Sequence, residues 1–122
     1  MSNDLGPLES ALASLKDILR QPMDEYRRDG AIQRFEYTFE LAWKAMQRSL
    51  KEQGLVTGSP QQVFRASFKA GLISDIDSWM AFLKSRNLTV HTYNRKLADT
   101  VFESAKKFPS SVEELLAKLK SV

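Results

Sequence analysis

The sequence predicts an all-α protein, built as an antiparallel up-and-down bundle of four to five helices. Apolar side chains recur at spacings of three and four residues, which places them on one face of a helix. Proline and glycine fall between these periodic segments, and no segment alternates apolar and polar residues as a strand would. With 122 residues, the chain has the size of a single domain, 1–122, with one hydrophobic core.

The first two helices carry the clearest pattern. The first is expected over about Pro7 to Arg20, because proline suits a first helical position and the proline at 22 stops the helix. The second is expected over about Met23 to Gln53, ending at Gly54, and would be roughly 45 Å long. That length favours a bundle or a dimer built along it. Its apolar stripe is expected to be core or dimer interface and consists of Ile32, Phe35, Phe39, Ala42, Trp43, Met46 and Leu50.

Shorter segments follow. Ser59 and Gln62 have the spacing of a capping box, which predicts a helix over about Ser59 to Ala70. The next helix is expected to start at Ser74, with its acid three residues later, and to carry His91 on its apolar face before fraying near the β-branched pair at 89–90. Asn94 is expected to cap the last segment. Pro109 should kink or break that segment, which restarts at Ser110 or Ser111.

Composition excludes several classes of site. The chain has no cysteine and one histidine, so neither a thiolate zinc site nor a multi-histidine site can form within one chain. It has no glycine-rich phosphate loop, and the sequence predicts no metal and no cofactor. No apolar run approaches the roughly 20 residues of a membrane span, and the segment MSNDLGPLES lacks the basic region and apolar run expected of a signal peptide. These features predict a cytoplasmic protein without membrane contact. The net charge of +3 permits contact with phosphates without requiring it.

The segment KSRNLTVHTYN holds the only histidine. A lone histidine on an apolar helix face is most often buried and structural, which is the first interpretation of His91. A functional interpretation needs partners. Arg86 lies five residues earlier, so on a regular helix the two side chains diverge by roughly 140°. They would converge if the helix unwinds near Thr89, or if two chains meet across a two-fold axis. Asn87 shares the histidine's face.

The residue types suit one chemistry. Histidine can accept or donate a proton near neutral pH, and arginine can hold a phosphate through two hydrogen bonds. With Asn87 as a positioning group, the set fits cleavage of RNA, where the 2′-hydroxyl is the internal nucleophile and no metal is required. Lys84 and Arg95 would add positive charge around a bound polyanion. Tyr93 is either an amphipathic residue at a helix end, or a residue that stacks on a base or accepts a modification.

Two glutamates on the second predicted helix leave alternatives open. Glu36 and Glu40 lie one turn apart, with Lys44 one turn beyond. Paired carboxylates can bind a metal or serve as acid and base. A salt-linked helix face, with Glu40 paired to Lys44, is the more common arrangement.

Two kinds of segment resemble a known family. RNLTVHTY, from Arg86 to Tyr93, resembles the motif of the HEPN superfamily, in which four to six residues, the first of them often polar, separate an arginine from a histidine. Tyr93 matches the tyrosine of the extended bacterial form. RFEYTFELAWKAMQRSLKEQG and SPQQVFRASFKAGLI resemble one branch, the nucleotidyltransferase substrate-binding protein family, and the resemblance covers roughly Leu8 to Leu119.

The resemblance implies a homodimeric bundle with the motif in a cleft at the dimer interface. It also implies a small nucleotidyltransferase partner in a hetero-oligomer, RNA or a nucleotide as ligand, and AMP attachment to Tyr93. Arg86 and His91 would be catalytic in a metal-independent, toxin-type endoribonuclease, with Asn87, Lys84 and Arg95 binding substrate. Two alternatives remain: a noncatalytic nucleotide- or substrate-binding subunit of the transferase, and a helical scaffold whose motif residues are only structural.

Overall fold

The computed structural model describes residues 3–122 and, within that range, contains five α-helices and no strand. The all-α prediction is therefore confirmed for the described residues. The helices are α1 (Gly6–Leu19), α2 (Glu25–Glu52), α3 (Pro60–Lys69), α4 (Ile76–Asn87) and α5 (Arg95–Ser121), and a 3₁₀ turn at Thr89–His91 separates α4 from α5. None of these helices is both long enough and apolar enough to cross a bilayer.

Helix α2 lies at the centre and packs against the other four helices. The core forms around aromatic rings. Phe108 from α5 has its ring centroid 5.1 Å from that of Phe35, 4.9 Å from that of Phe82 and 5.4 Å from that of Trp79, in edge-on geometries that aromatic pairs favour. Phe35 and Phe39 are fully buried. The apolar stripe predicted along the second helix is thus core, although Trp43 is only partly buried.

Most helix ends follow the sequence signals. The Asp24 side chain accepts a hydrogen bond from the Arg27 amide at the start of α2. The capping box at Ser59 is present at the start of α3, and Asn94 caps α5 by accepting from the Leu97 amide. Gly54 follows α2 at a φ of +88°, a left-handed conformation that lacks a steric cost only for glycine.

The start of α4 differs from the prediction. The cap is Asp75, whose Oδ1 accepts from the Ser78 amide at 3.0 Å while its Oδ2 accepts from the Ser78 hydroxyl at 2.7 Å. A carboxylate that binds both groups satisfies more of the first turn than the Ser74 hydroxyl would. Ser74 instead donates to Glu114 on α5 at 2.6 Å.

The break predicted at Pro109 is wrong, because α5 runs without interruption from Arg95 to Ser121. A proline inside a helix removes one backbone hydrogen bond and costs about 3 kcal/mol. Here the apolar face continues across it. Pro109 is itself buried, between Phe108 and the residues of the next turn that pack into the same core, including Val112. Continuous burial on both sides offsets the local cost.

Candidate functional site

The motif segment lies where α4 gives way to a tighter turn. Helix α4 ends at Asn87, and the Leu88 amide donates to the Ser85 carbonyl at 3.0 Å. The His91 amide then donates to the Leu88 carbonyl at 2.9 Å within the 3₁₀ turn. The predicted placement of His91 on the face of a continuing helix is therefore wrong. The helix unwinds near Thr89, which the sequence suggested as one way to bring the motif residues together, and the four-residue spacing of Asn87 and His91 no longer defines a shared face.

Arg86 is held from α2. Its Nε lies 2.9 Å from Glu40 Oε1, and its guanidinium carbon lies 5.5 Å from the centre of the Phe39 ring. Nε meets no acceptor in hydrogen-bond geometry, so the attraction is between charges and between the cation and the ring. Glu40 is fixed in turn, because its Oε2 accepts from Trp43 Nε1 at 3.1 Å. About 28% of the Arg86 side chain and 33% of the Glu40 side chain remain exposed.

The turn after α4 is tied to α2 by a second carboxylate. Thr89 Oγ1 lies 2.6 Å from Glu36 Oε2 and 2.7 Å from the Arg86 carbonyl oxygen. One hydroxyl thus joins α2, the end of α4 and the 3₁₀ turn. Glu36 and Glu40 lie one helical turn apart on α2, so together they hold the motif segment against α2 at two neighbouring points.

His91 is exposed, so the interpretation of a buried structural histidine is wrong for this chain. Its Nδ1 lies 3.5 Å from the Tyr93 hydroxyl, and the two rings meet edge to face with centroids 6.0 Å apart. The donor in this contact depends on the imidazole tautomer. Tyr93 is 86% exposed and Val90 72% exposed. The histidine and the tyrosine hydroxyl are therefore open to a ligand, to a partner protein or to a second copy of the chain.

The remaining predicted site residues are more scattered. Asn87 is exposed at the last position of α4, and Lys84 is exposed and forms no ion pair with any residue of 3–122. Arg95 begins α5 and lines an open cleft of about 350 Å³ with Arg28 and Asp99. No side-chain hydrogen bond or ion pair within residues 3–122 joins Lys84 or Arg95 to Arg86 or His91.

Acidic side chains limit the positive charge of the Arg95 cleft. Arg28 is largely buried and lies 3.1 Å from Asp29 and 3.4 Å from Asp99. Burial lowers the pKa of the Arg28 guanidinium, but hydrogen bonds and charge attraction from Asp29 and Asp99 outweigh it and raise that pKa above its ordinary value. Arg28 is therefore a paired structural cation, and Arg95 is the cleft's unpaired one among the residues described.

Sequence reasoning missed the role of the α2 glutamates. Helical spacing favours a Glu40–Lys44 pair, but Glu40 pairs with Arg86 across the bundle, and Lys44 forms no ion pair within 3–122. Only the packing of α4 on α2 distinguishes these alternatives, and no short-range signal encodes it. No group of three or more histidine, aspartate or glutamate side chains in the described range is arranged to hold a metal ion.

Comparison with known proteins identifies the family. The family model described as "Nucleotidyltransferase substrate binding protein like" matches residues 3–121. The chain belongs to the nucleotidyltransferase substrate-binding protein family. This confirms the resemblance drawn from the segments of α2, α3 and the motif, and the match spans almost the whole chain.

Similar proteins extend the comparison. A probable ribonuclease HepT from Haemophilus influenzae is 33% identical over 96 residues, which are 75% of this chain and 66% of that protein. The chain thus spans just under two thirds of the length of this relative. The crystal structure of a Thermus thermophilus protein, ttk003001694, superposes with a TM-score of 0.87 at 40% identity, over 92% of this chain and 98% of that one.

A second solved structure bears on function as well as fold. HI0074 from Haemophilus influenzae superposes with a TM-score of 0.86 at 29% identity, over 96% of this chain and 99% of that one. Its structure was described as revealing the fold of a substrate-binding domain of a nucleotidyltransferase. The HI0074 domain thus shares this helical fold, and a separate relative of the chain is named as a probable ribonuclease.

Proposed function

We propose that this protein is a HEPN-type subunit that cleaves RNA without a metal and works with a small nucleotidyltransferase in a toxin–antitoxin-like pair. The observation that carries the proposal is the arrangement of the motif. Arg86 is fixed 2.9 Å from Glu40 while His91 and Tyr93 remain open to solvent in the adjoining turn. The kinship to a probable ribonuclease supports the same assignment.

The proposed reaction needs a base, an acid and stabilisation of charge. The 2′-hydroxyl of a ribose loses its proton and attacks the adjacent phosphorus, forming the O2′–P bond. The P–O5′ bond breaks, and the departing O5′ takes up a proton. The products are a 2′,3′-cyclic phosphate and a 5′-hydroxyl. His91 exchanges the proton, and Arg86 binds the phosphate oxygens, where negative charge grows during the reaction.

One histidine cannot hold both protonation states at once. We expect a homodimer in which the two His91 side chains meet at the two-fold axis, one accepting the 2′-hydroxyl proton and the other protonating O5′. Exposed Val90 beside His91 gives this edge apolar surface that a second copy would cover. Asn87 at the end of α4 would position a phosphate oxygen, and Lys84 and Arg95 would attract the RNA chain.

The partner would act through Tyr93. With ATP as co-reactant, the tyrosine hydroxyl releases its proton to solvent and its oxygen attacks the α-phosphorus. The bond between that phosphorus and the oxygen bridging to the β-phosphate breaks, pyrophosphate leaves, and AMP remains on the side chain. The 86% exposure of Tyr93 supports this role, because the hydroxyl is accessible from solvent. An AMP group on an oxygen that lies 3.5 Å from His91 Nδ1 would also block the imidazole, which links the modification to loss of cleavage.

The proposal is tested with purified protein and mixed RNAs in the presence of a chelator. Wild type should release 2′,3′-cyclic phosphate ends, and His91→Ala and Arg86→Ala should each lose nearly all cleavage. Arg86→Lys keeps the charge but lacks the planar fork of donors, so it should recover only a small part. Lys107→Ala, at an exposed position on α5, is the matched control. Intact RNA with folded wild-type protein would refute the ribonuclease assignment.

A second candidate function has its own support. The family name and the description of the HI0074 structure both refer to substrate binding for a nucleotidyltransferase. In that case the protein is a noncatalytic subunit that binds a nucleotide or substrate at the motif. It would form the complex and change transferase activity, while leaving RNA intact. Measuring both RNA integrity and transferase activity on the same preparation separates the two functions.

A further inference from the structure

An open surface at the turn between α2 and α3 lies far from the motif. Two clefts meet there and share Leu55. The larger, of about 590 Å³, lies between the end of α2 and the outer face of α3, and the smaller, of about 340 Å³, lies beside the turn itself. At about 1.5 Å per residue, the helical positions from Glu40 to Glu52, where α2 ends, place the turn about 18 Å along α2 from the Glu40–Arg86 pair.

All of the charged side chains that line this surface are basic. Its basic side chains are Arg48 and Lys51 from α2 and Arg65 and Lys69 from α3, and no carboxylate lines either cleft. None of the four forms an ion pair with any residue of 3–122, whereas the Arg95 cleft contains three acidic residues. The surface therefore presents unpaired positive charge to a ligand.

Apolar side chains lie between the cations. Val56 is 91% exposed and Leu55 46% exposed, and Ala66 and Ala70 line the larger cleft. The turn that carries them is well fixed. The Leu55 amide donates to the Leu50 carbonyl at 2.9 Å, and Gln47 Nε2 donates to the Thr57 carbonyl at 2.7 Å. Covering Leu55 and Val56 with a partner would therefore cost little ordering entropy.

We propose that this surface docks an acidic amphipathic helix of the partner nucleotidyltransferase. The inference rests on the proposed function for the existence of that partner. Leucine-like side chains of the helix would cover Leu55 and Val56, while carboxylates would meet Arg65 and Lys69. A protein fits better than RNA, because the lining contains aliphatic side chains and no aromatic ring on which a base would stack. Docking here would leave His91 open to RNA and Tyr93 open to the transferase active site.

The test measures affinity for the small nucleotidyltransferase of the proposed function, by titration calorimetry at several salt concentrations. Arg65→Glu with Lys69→Glu should weaken the complex by roughly tenfold or more and flatten its salt dependence. Val56→Ser should weaken it with the salt dependence unchanged, since it removes apolar contact and no charge. Lys107→Glu with Lys118→Glu makes the same change of charge on α5, which α3 does not contact, and should leave affinity unchanged.

Cleavage of RNA by the Arg65→Glu/Lys69→Glu variant alone should match wild type, which also shows that it is folded. If wild type binds the transferase and this variant binds equally well, the docking inference is wrong and the proposed function stands. If wild type forms no complex, the partner in the proposed function is wrong as well, and the inference falls with it. Weakened RNA binding with unchanged transferase binding would overturn the inference and assign the surface to RNA.

Discussion

The ion pair between Glu40 and Arg86 should couple the stability of α2 and α4 measurably. At the 2.9 Å separation, two unit charges attract by about 6 kcal/mol at an effective dielectric constant of 20, before the cost of removing water from both groups. Exposed pairs retain about 0–1 kcal/mol after that cost, and breaking a fully buried pair costs about 3–5 kcal/mol. With 28% and 33% of the side chains exposed, this pair lies between these cases. We expect a coupling energy of about 1–2 kcal/mol.

The measurement is a double-mutant cycle of Glu40→Ala, Arg86→Ala and the double variant, by urea unfolding at one fixed protein concentration. The cycle is needed because Glu40→Ala also removes the acceptor of Trp43 Nε1, and that loss cancels between the arms of the cycle. Raising the salt should reduce the coupling only modestly, because both groups are partly shielded from ions. A coupling energy below about 0.3 kcal/mol would show that Glu40 does not hold Arg86 and that this pair does not position the arginine.

Other expectations concern the scaffold. Phe108→Ala should lower the free energy of unfolding by about 3–5 kcal/mol in urea titrations, since it empties the centre of the aromatic core, whereas Phe68→Ala, at a half-exposed position, should change it by less than about 1 kcal/mol. Hydrogen bonds from Ser78 lower the pKa of Asp75 below its ordinary value of 3.8. The carboxylate therefore stabilises the folded state fully above about pH 4, and this contribution is lost as the pH falls through the lowered pKa. The difference in melting temperature between wild type and Asp75→Ala should shrink over the same fall in pH. Gly71→Ala should lower the free energy of unfolding in urea by about 1–2 kcal/mol, because φ at this position is +80°. No neighbour crowds the new methyl group, so backbone strain is the whole of the expected cost.

Local signals in the sequence predicted most of the fold. The capping box at Ser59 and the cap at Asn94 depend on contacts within a few residues, so they can be read without knowing the tertiary structure. Pro109 was misjudged because its local cost is opposed by burial of the α5 face, which only the packed bundle reveals. The cap of α4 was misplaced by one residue, since Ser74 and Asp75 are both favourable caps and the contact of Ser74 with Glu114 is long-range.

The motif residues were predicted, but their surroundings were not. Arg86 and His91 stand out in the sequence by residue type and order, and their role as motif residues stays a prediction from the resemblance. Their exposure and pairing depend on how α4 packs on α2. Exposure of His91 follows from the end of α4 at Asn87, which turns the chain before the histidine can enter the core. The pairing of Arg86 with Glu40 follows from a contact between residues 46 positions apart.

The Glu40–Arg86 pair bears directly on how such a site would discriminate a transition state from a substrate. An arginine already paired with a carboxylate attracts a singly charged phosphodiester weakly, because the pair is close to neutral. Negative charge increases on the phosphate oxygens as the 2′-oxygen attacks. Glu40 contacts the guanidinium of Arg86 at Nε, and no described residue accepts a hydrogen bond from either Nη. The two terminal nitrogens can therefore donate to the phosphate oxygens. Stabilisation that grows with the developing charge accelerates the chemical step, whereas tight binding of the ground state does not. Within the proposed ribonuclease, Glu40 therefore restrains Arg86 in the substrate complex and leaves its strongest interaction to the transition state.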